Sequence, residues 1–387
     1  MSSCRCGSDS HTWKRAGNVF TEGRVDAPFF GMFSEISIEN LRILEQAVFR
    51  PVPGLNVIGG QNGAGKTTLL EAMYLLATGR SFRHWDTAPL IREGQDYVQV
   101  VGKLFDEHNG AHVLGMRRDR SNNLVVRLDG SGSVKRSDIL RLIPLQFIGA
   151  DPQQLASGAP ELRRSFLDSG LFHVEPSYLK QLQTYGRILA QRNASLRAGS
   201  KGVGEWDDQL VGFGNRITEV RKTYVDQLVR HIEDVLSDWG MDVELSFSYR
   251  NGWAKELSLG DALQRAMETD RRQHFTSVGP HRADLLINAR VARSGKILSR
   301  GQLKMMVIAM FLAQAAVQRD AGHAVRVLLF DDLGAELDRH NRDKILDRIR
   351  QEYPQVVVTA LDPETVATGT EPVRMFHVEH GRIEEGN

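Results

Sequence analysis

The stretch Gly60-Gln61-Asn62-Gly63-Ala64-Gly65-Lys66-Thr67 has the residue types and spacing to hold a polyphosphate. It fits G-x-x-x-x-G-K-[ST] at each fixed position. Glycines let the backbone turn tightly, so that successive N–H groups converge on a phosphate. The Lys66 ammonium can reach the β- and γ-phosphates of a nucleotide, and the Thr67 hydroxyl suits Mg²⁺. The flanks agree. Leu55-Asn56-Val57-Ile58-Gly59 reads as a short buried strand. Residues 68–77 place apolar side chains at helical spacing among strong helix formers. A helix starting there adds its partial positive charge to the cradle. The alternative, a glycine-rich turn that fits by chance, does not account for this strand–turn–helix order.

A second constellation lies in the C-terminal third. Leu298-Ser299-Arg300-Gly301-Gln302 precedes a helix over about 303–318. Ser299 is placed as an N-cap, and its hydroxyl with the N–H groups of Arg300, Gly301 and Gln302 suits an anion. Residues 325–330 form a mostly apolar strand ending in Asp331-Asp332, and a carboxylate at a strand tip after a phosphate loop is where such proteins hold Mg²⁺. Gly334-Ala335-Glu336-Leu337-Asp338 follows, then an apolar strand over 355–360. Each piece alone is common, and Asp-Asp after a strand is more often a turn. The order is far more specific than the parts.

These elements must sit on a frame. The chain has 387 residues, enough for two or three domains, and an apolar fraction ordinary for a soluble globular protein. A net charge of +1 leaves the partner open, since a basic face can be balanced elsewhere. The cysteines, Cys4 and Cys6, both lie at the start, so the body carries no disulfide and suits a reducing cytoplasm. Two thiols do not make a zinc site. The best membrane candidate, residues 303–317, carries Lys304 and Gln314 and is shorter than the roughly 20 residues a bilayer needs. Residues 1–31 lack periodicity and read as a disordered leader or a misassigned start, with the pattern beginning at Met32. Strands are expected at 36–41, 48–49, 55–59, 98–104, 111–116 and 124–128, the last three antiparallel, with another at 145–149. Helices are expected over 176–198 and 206–239, where Ile217, Val220, Tyr224, Leu228 and Ile232 share a face. A strand over 243–249 and a helix over 257–269 complete the middle of the chain.

Taken together, this order is that of ATP-binding-cassette and SMC heads, and the chain resembles the RecF family of bacterial DNA replication and repair proteins. The match rests on residues 53–67, Glu71 through Arg83, Arg163-Arg164-Ser165-Phe166-Leu167-Asp168, Gln191-Arg192-Asn193, Gly279-Pro280-His281-Arg282, Leu298 to Gln302 and Phe330 to Asp338. It covers the chain from Met32 onward. The resemblance implies an α/β fold: an ABC/SMC-like P-loop ATPase head with mixed sheets, built from 32–170 and 275–387, plus an inserted helical lobe over 171–274. It implies a cytoplasmic, ATP- and Mg²⁺-dependent homodimer that binds single-stranded, duplex and gapped DNA. Such a protein loads recombinase at gaps and stalled forks with RecO and RecR, supports SOS induction, and acts as a weak DNA-stimulated ATPase switch.

Residue roles follow from the same resemblance. Gly60, Gln61, Asn62, Gly63, Ala64, Gly65, Lys66 and Thr67 match Walker A. Asp331 matches the Walker B acid and would share Mg²⁺ with Thr67. Asp332 stands where related ATPases place a water-polarising glutamate, one methylene shorter here, which implies slow hydrolysis. Ser299, Arg300, Gly301 and Gln302 match the signature that completes a partner subunit's site in trans. Thr359 stands where transporters carry a switch histidine. His281 reads as structural or site-lining. The pairs Arg163-Arg164 and Arg80, Arg83 are either DNA-phosphate contacts or structural arginines. A transporter ATPase subunit is the rival reading, but a whole helical lobe separates its signature from Thr67. A small-molecule kinase is another, but it has no use for L-S-R-G-Q or E-L-D.

Overall fold

The structure is a computed structural model that describes residues 31–83, 88–106, 110–132, 134, 139–140, 142–291, 297–367 and 372–386. The expected leader, apart from its last residue, lies outside the described residues. The chain opens with β1 (Met32–Leu41), β2 (Leu44–Phe49) and β3 (Gly54–Gly59), then enters α1 (Lys66–Thr78). An antiparallel run follows: β4 (Tyr97–Asp106), β5 (Gly110–Asp119), β6 (Leu124–Leu128) and β7 (Ser131–Gly132), then β8 (Leu145–Ile148). Next come α2 (Gln154–Ser157), α3 (Pro160–Val174), α4 (Tyr178–Arg197), α5 (Asp207–Asp238), β9 (Val243–Arg250), α6 (Leu259–Gln273), β10 (Asp284–Val291) and α7 (Arg300–Asp320). The chain ends through β11 (Val327–Phe330), α8 (Arg339–Glu352), β12 (Gln355–Thr359), β13 (Val373–Glu379) and β14 (Arg382–Glu385). It forms two compact units. One comprises Met1–Phe147, Arg326–Asp331 and Pro354–Asn387, the other Ile148–Val325 and Asp332–Tyr353.

The first unit holds two six-stranded sheets. One runs β2-β1-β4-β5-β6-β7 and the other β14-β13-β3-β12-β11-β8. In the second sheet β13, β3, β12 and β11 are parallel, and β14 returns antiparallel to β13. Strands β3, β11 and β12 are buried on both faces and mostly apolar, as suits central parallel strands. Helix α1 is buried nearly all round. Its Leu69, Met73 and Leu76 share one core with Ile36 and Phe49 of the first sheet and Leu329 and Val357 of the second. The Gln355 side chain stitches β12 to β1, accepting from Phe33 N at 3.0 Å and donating to Phe33 O at 2.8 Å. Within α1, fully buried Glu71 accepts two bonds from Arg42, at 2.6 and 3.1 Å, and one from Ser81.

In the second unit α5 is an amphipathic helix of 32 residues, with Ile217, Tyr224, Leu228 and Ile232 buried and Val220 half-buried. Strands β9 and β10 pair in full antiparallel register. Buried arginines brace this unit. Arg221 forks onto both Asp168 oxygens at 2.9 Å and donates to Pro280 O at 2.8 Å. Arg192 reaches Asp207 and Asp270, each at 2.8 Å, and Thr276 at 2.9 Å. Breaking such a buried pair by removing one partner costs about 3–5 kcal/mol. Gly279 has φ 133°, and a Cβ there would fall 2.6 Å from the Tyr185 hydroxyl. That close approach lets Tyr185 Oη meet His281 Nδ1 at 2.8 Å, while His281 Nε2 meets Thr276 O at 3.0 Å. A carbonyl only accepts, so Nε2 carries the proton and Nδ1 accepts from Tyr185. His281 is a neutral strut.

Burial pushes the His281 imidazole down to about 4 from its ordinary value near 6.5. Its contribution is therefore complete above pH 6.5 and is lost as pH falls towards 4, because the unfolded chain binds the extra proton first. His281→Gln should flatten this decline. Between pH 7 and pH 4.5, urea unfolding should show wild type losing roughly 2 kcal/mol more than the variant. Equal losses in both would mean that His281 is not held neutral.

Candidate functional site: a phosphate loop with its acid, and a capped helix

The phosphate loop joins β3 to α1. Gly60 has φ 141°, and a Cβ there would meet Val378 O at 2.3 Å, so this position accepts only glycine. Gly65 has φ 119° and is the N-cap of α1, whose first turn carries no acidic residue to offset the positive helix end. Gln61, Asn62 and Gly63 are exposed, with Ala64 half-buried behind them. Ala64 N donates to Gln61 O at 3.2 Å, closing the turn, and Gly381 N donates to Ala64 O at 3.2 Å. Lys66 Nζ lies over the loop, donating to Gly60 O at 2.5 Å and Gln61 O at 3.0 Å. Positive-φ glycines, an exposed helix N-terminus and a lysine folded over the loop suit anionic oxygens.

Asp331 stands at the end of β11 and is 8% exposed. Its Oδ1 accepts from Thr67 Oγ1 at 3.0 Å and from Thr359 Oγ1 at 2.7 Å. The expected metal pair, Thr67 and Asp331, is thus in direct contact. A hydroxyl and a carboxylate are hard oxygen donors suited to Mg²⁺. Among the described residues, no three His, Cys, Asp or Glu side chains gather as a metal site. The remaining ligands of such an ion would come from phosphate and water, the usual pattern for Mg²⁺. The donor set fits.

Ser299 caps α7 through a reciprocal box. Its Oγ accepts from Gln302 N at 3.3 Å, and Gln302 Oε1 accepts from Ser299 N at 3.0 Å. Arg300 is 87% exposed, with a guanidinium nitrogen 3.3 Å from Glu336 Oε1. A Cβ on Gly301 would sit 3.0 Å from Glu336 O, so the two backbones nearly touch. Asp332 and Glu336 both adopt left-handed conformations, with φ 55° and 65°. Fully buried Lys304, one turn into α7, donates to Asp332 O at 3.1 Å and Ala335 O at 2.8 Å. Burial pushes its amine below the ordinary lysine range, while Asp332, Glu336 and Asp151 work the other way. Gln153 donates to Glu336 Oε2. The site residues therefore fall into two groups: Gly60 through Thr67 with Asp331 in the first unit, and Ser299 through Gln302 with Asp332 in the second.

Sequence reasoning missed Lys304 and Gln153. The signal for Lys304 was a charge at the start of the apolar run that follows L-S-R-G-Q. Gln153 left no signal. Arg163 is nearly buried and forks onto Asp284 at 2.7 and 3.0 Å, so it is a structural arginine. Arg164 donates to Ala283 O at 2.6 Å and pairs with Glu161 at 2.7 Å. Arg80 and Arg83 are exposed.

The RecF/RecN/SMC N terminal domain model matches residues 32–384. The DNA replication and repair protein RecF of Pseudomonas fluorescens (strain SBW25) is 36% identical over 357 residues, covering 90% of this chain and 97% of that protein. The chain belongs to the RecF family. The RecF of Thioalkalivibrio sulfidiphilus (strain HL-EbGR7) is also 36% identical, over 92% of this chain and all of that protein. A solved structure of the recombination mediator protein RecF-ATPrS in the RecFOR pathway aligns with TM-score 0.81 at 24% identity, covering 92% of this chain and 98% of that one. An SMC head bound to the C-winged helix domain of ScpA gives TM-score 0.56 at 16% identity, over 93% and 97%. The fold is that of RecF and SMC-type ATPase heads, with mixed sheets and inserted helices. RecF membership sets aside the transporter and kinase readings.

Lys304→Met keeps the bulk but leaves two carbonyls without their donor. The loss should be about 2–6 kcal/mol in denaturant unfolding, since each of the two orphaned groups costs about 1–3 kcal/mol. Amide exchange over residues 332–338 should rise with it. Unchanged exchange there would show that Lys304 does not hold this segment.

Proposed function

We propose that this chain is an ATP- and Mg²⁺-dependent DNA-binding protein of replication and recombinational repair, closing as a homodimer when ATP is bound. The observation that carries the reading is the Thr67–Asp331 contact beneath the glycine cradle, which is the donor set for Mg²⁺ on a nucleoside triphosphate. Gly60 through Thr67 would wrap the phosphates, and Thr67 with Asp331 would hold the metal, whose charge offsets that of the β- and γ-phosphates. Ser299, Arg300, Gly301 and Gln302 would cover the nucleotide of the second copy. In functional terms the head comprises residues 32–170 and 275–387 and the helical lobe 171–274, a partition separate from the two compact units. By family membership the substrates are single-stranded, duplex and gapped DNA and the partners RecO and RecR. The task is loading recombinase at gaps in the cytoplasm, with SOS induction downstream. No helix among the described residues is long and apolar enough to cross a membrane.

Two variants separate binding from turnover. Lys66→Met removes the cation over the cradle and should abolish ATP-driven association in light scattering. Asp332→Asn leaves cradle and metal ligands intact and removes the charge assigned to polarising water. It should keep ATP-driven association while phosphate release falls at least tenfold, about 1.4 kcal/mol of barrier. Association of the Lys66→Met protein at wild-type level would overturn the reading. Normal turnover in Asp332→Asn would move the water-polarising role to Glu336.

A further inference from the structure

The second unit contains a cavity of about 700 Å³ that the nucleotide site does not use. Four cations from four separate elements line it: Lys222 of α5, Arg250 at the end of β9, Lys255 in the following loop, and Arg282 just before β10. All four are exposed, and none makes an ion pair among the described residues. Among the described residues, the one carboxylate in the lining is Asp284, which Arg163 forks at 2.7 and 3.0 Å, so its charge is already met. Glu161, whose carboxyl feels Arg282, is held by Arg164 at 2.7 Å. Like charges around a concave wall focus a positive field into it.

The wall also carries two half-buried aromatic rings, Tyr249 and Trp253. The Trp253 indole N–H donates to Leu257 O at 3.2 Å, which fixes the ring. The rim beside it is rigid. Gly252 has φ 93°, a Cβ there would fall 2.1 Å from Gly279 O, and Gly279 N donates to Gly252 O at 3.2 Å. Cations interleaved with aromatic rings are the equipment of single-strand recognition, in which the backbone follows the charge and bases stack on the rings. A solvated basic surface would need neither a fixed indole nor a concave wall. The rings rather than the charges favour a single strand, because only unpaired bases are free to stack on them.

We propose that this cavity binds a single-stranded nucleic-acid segment, its phosphates among Lys222, Arg250, Lys255 and Arg282 and a base against Trp253. The proposal rests on the DNA-binding reading above and locates a single-strand subsite within it.

The test uses the full chain with ATP, a short labelled oligothymidylate and a blunt duplex, read by fluorescence anisotropy across a salt series. Arg250→Glu with Lys255→Glu should weaken single-strand binding at least tenfold and lower the salt slope by about 1.4, at about 0.7 per phosphate contact. Duplex affinity should stay within about twofold. An abasic oligonucleotide should bind wild type about fivefold or more weakly than oligothymidylate, from lost stacking. Arg271→Glu with Arg272→Glu imposes the same charge change outside the cavity and should leave single-strand binding near wild type. ATP-driven association of both variants reports that they fold. If the cavity variant holds single strands like wild type, or loses duplex equally, the subsite is wrong and the DNA-binding reading stands. If wild type binds neither DNA with ATP, that reading falls and the subsite with it.

Discussion

The Asp331 carboxylate accepts a hydroxyl from each side, Thr67 at 3.0 Å and Thr359 at 2.7 Å, on one oxygen. Hydrogen bonds to a charged group are worth about 1.5–3 kcal/mol each. Their larger consequence is registration. Strands β3, β12 and β11 are neighbours and parallel, so the phosphate loop, Thr359 and Asp331 all emerge at the same edge of the sheet. Three segments far apart in sequence meet because the sheet order brings their C-terminal ends together, where ligands of open α/β sheets bind. The burial of α1 between two sheets holds the loop at that edge.

The second unit solves a different problem. Three sequence stretches that tie the chain to its family supply buried braces, with Arg282 of the third left exposed in the cavity lining. Asp168, Arg221 and Tyr178 form one bonded cluster, Arg192, Asp270, Thr276, His281 and Tyr185 form another, and Arg163 forks separately onto Asp284. Buried charges of this kind persist only when their hydrogen bonds are met, and removing one partner leaves the other stranded. These braces fix helix to strand within the unit, and a backbone hydrogen bond of 3.2 Å ties Gly279 to Gly252.

The cradle was readable because its chemistry is local: glycines, a lysine and a threonine at fixed spacing between a strand and a helix. The Ser299 cap was readable for the same reason. The long helices showed in periodicity, with α5 within one residue of its expected start and end. Strands β13 and β14 were not read. β13 is built by parallel pairing with β3, more than three hundred residues earlier, and such pairing leaves no local mark. Lys304 was legible only as a charge that argued against a membrane helix, because its partners are backbone carbonyls some thirty residues away. Composition alone could not separate Arg163, buried on Asp284, from an exposed DNA-binding arginine, since burial is decided by tertiary packing.

In the proposed dimer each nucleotide is gripped by Gly60–Thr67 of one copy and completed by Ser299–Gln302 of another, with two such sites related by a twofold axis. ATP would favour closure of that dimer through γ-phosphate contacts that ADP lacks. The most direct measurement is ATP-driven association of Ser299→Arg protein, of Lys66→Met protein, and of an equal mixture of the two. In the mixture one composite site has both halves intact. The Ser299→Arg monomer should bind ATP with wild-type affinity, neither variant alone should associate, and the mixture should associate in part. Weakened ATP binding by the Ser299→Arg monomer, with no recovery on mixing, would contradict it.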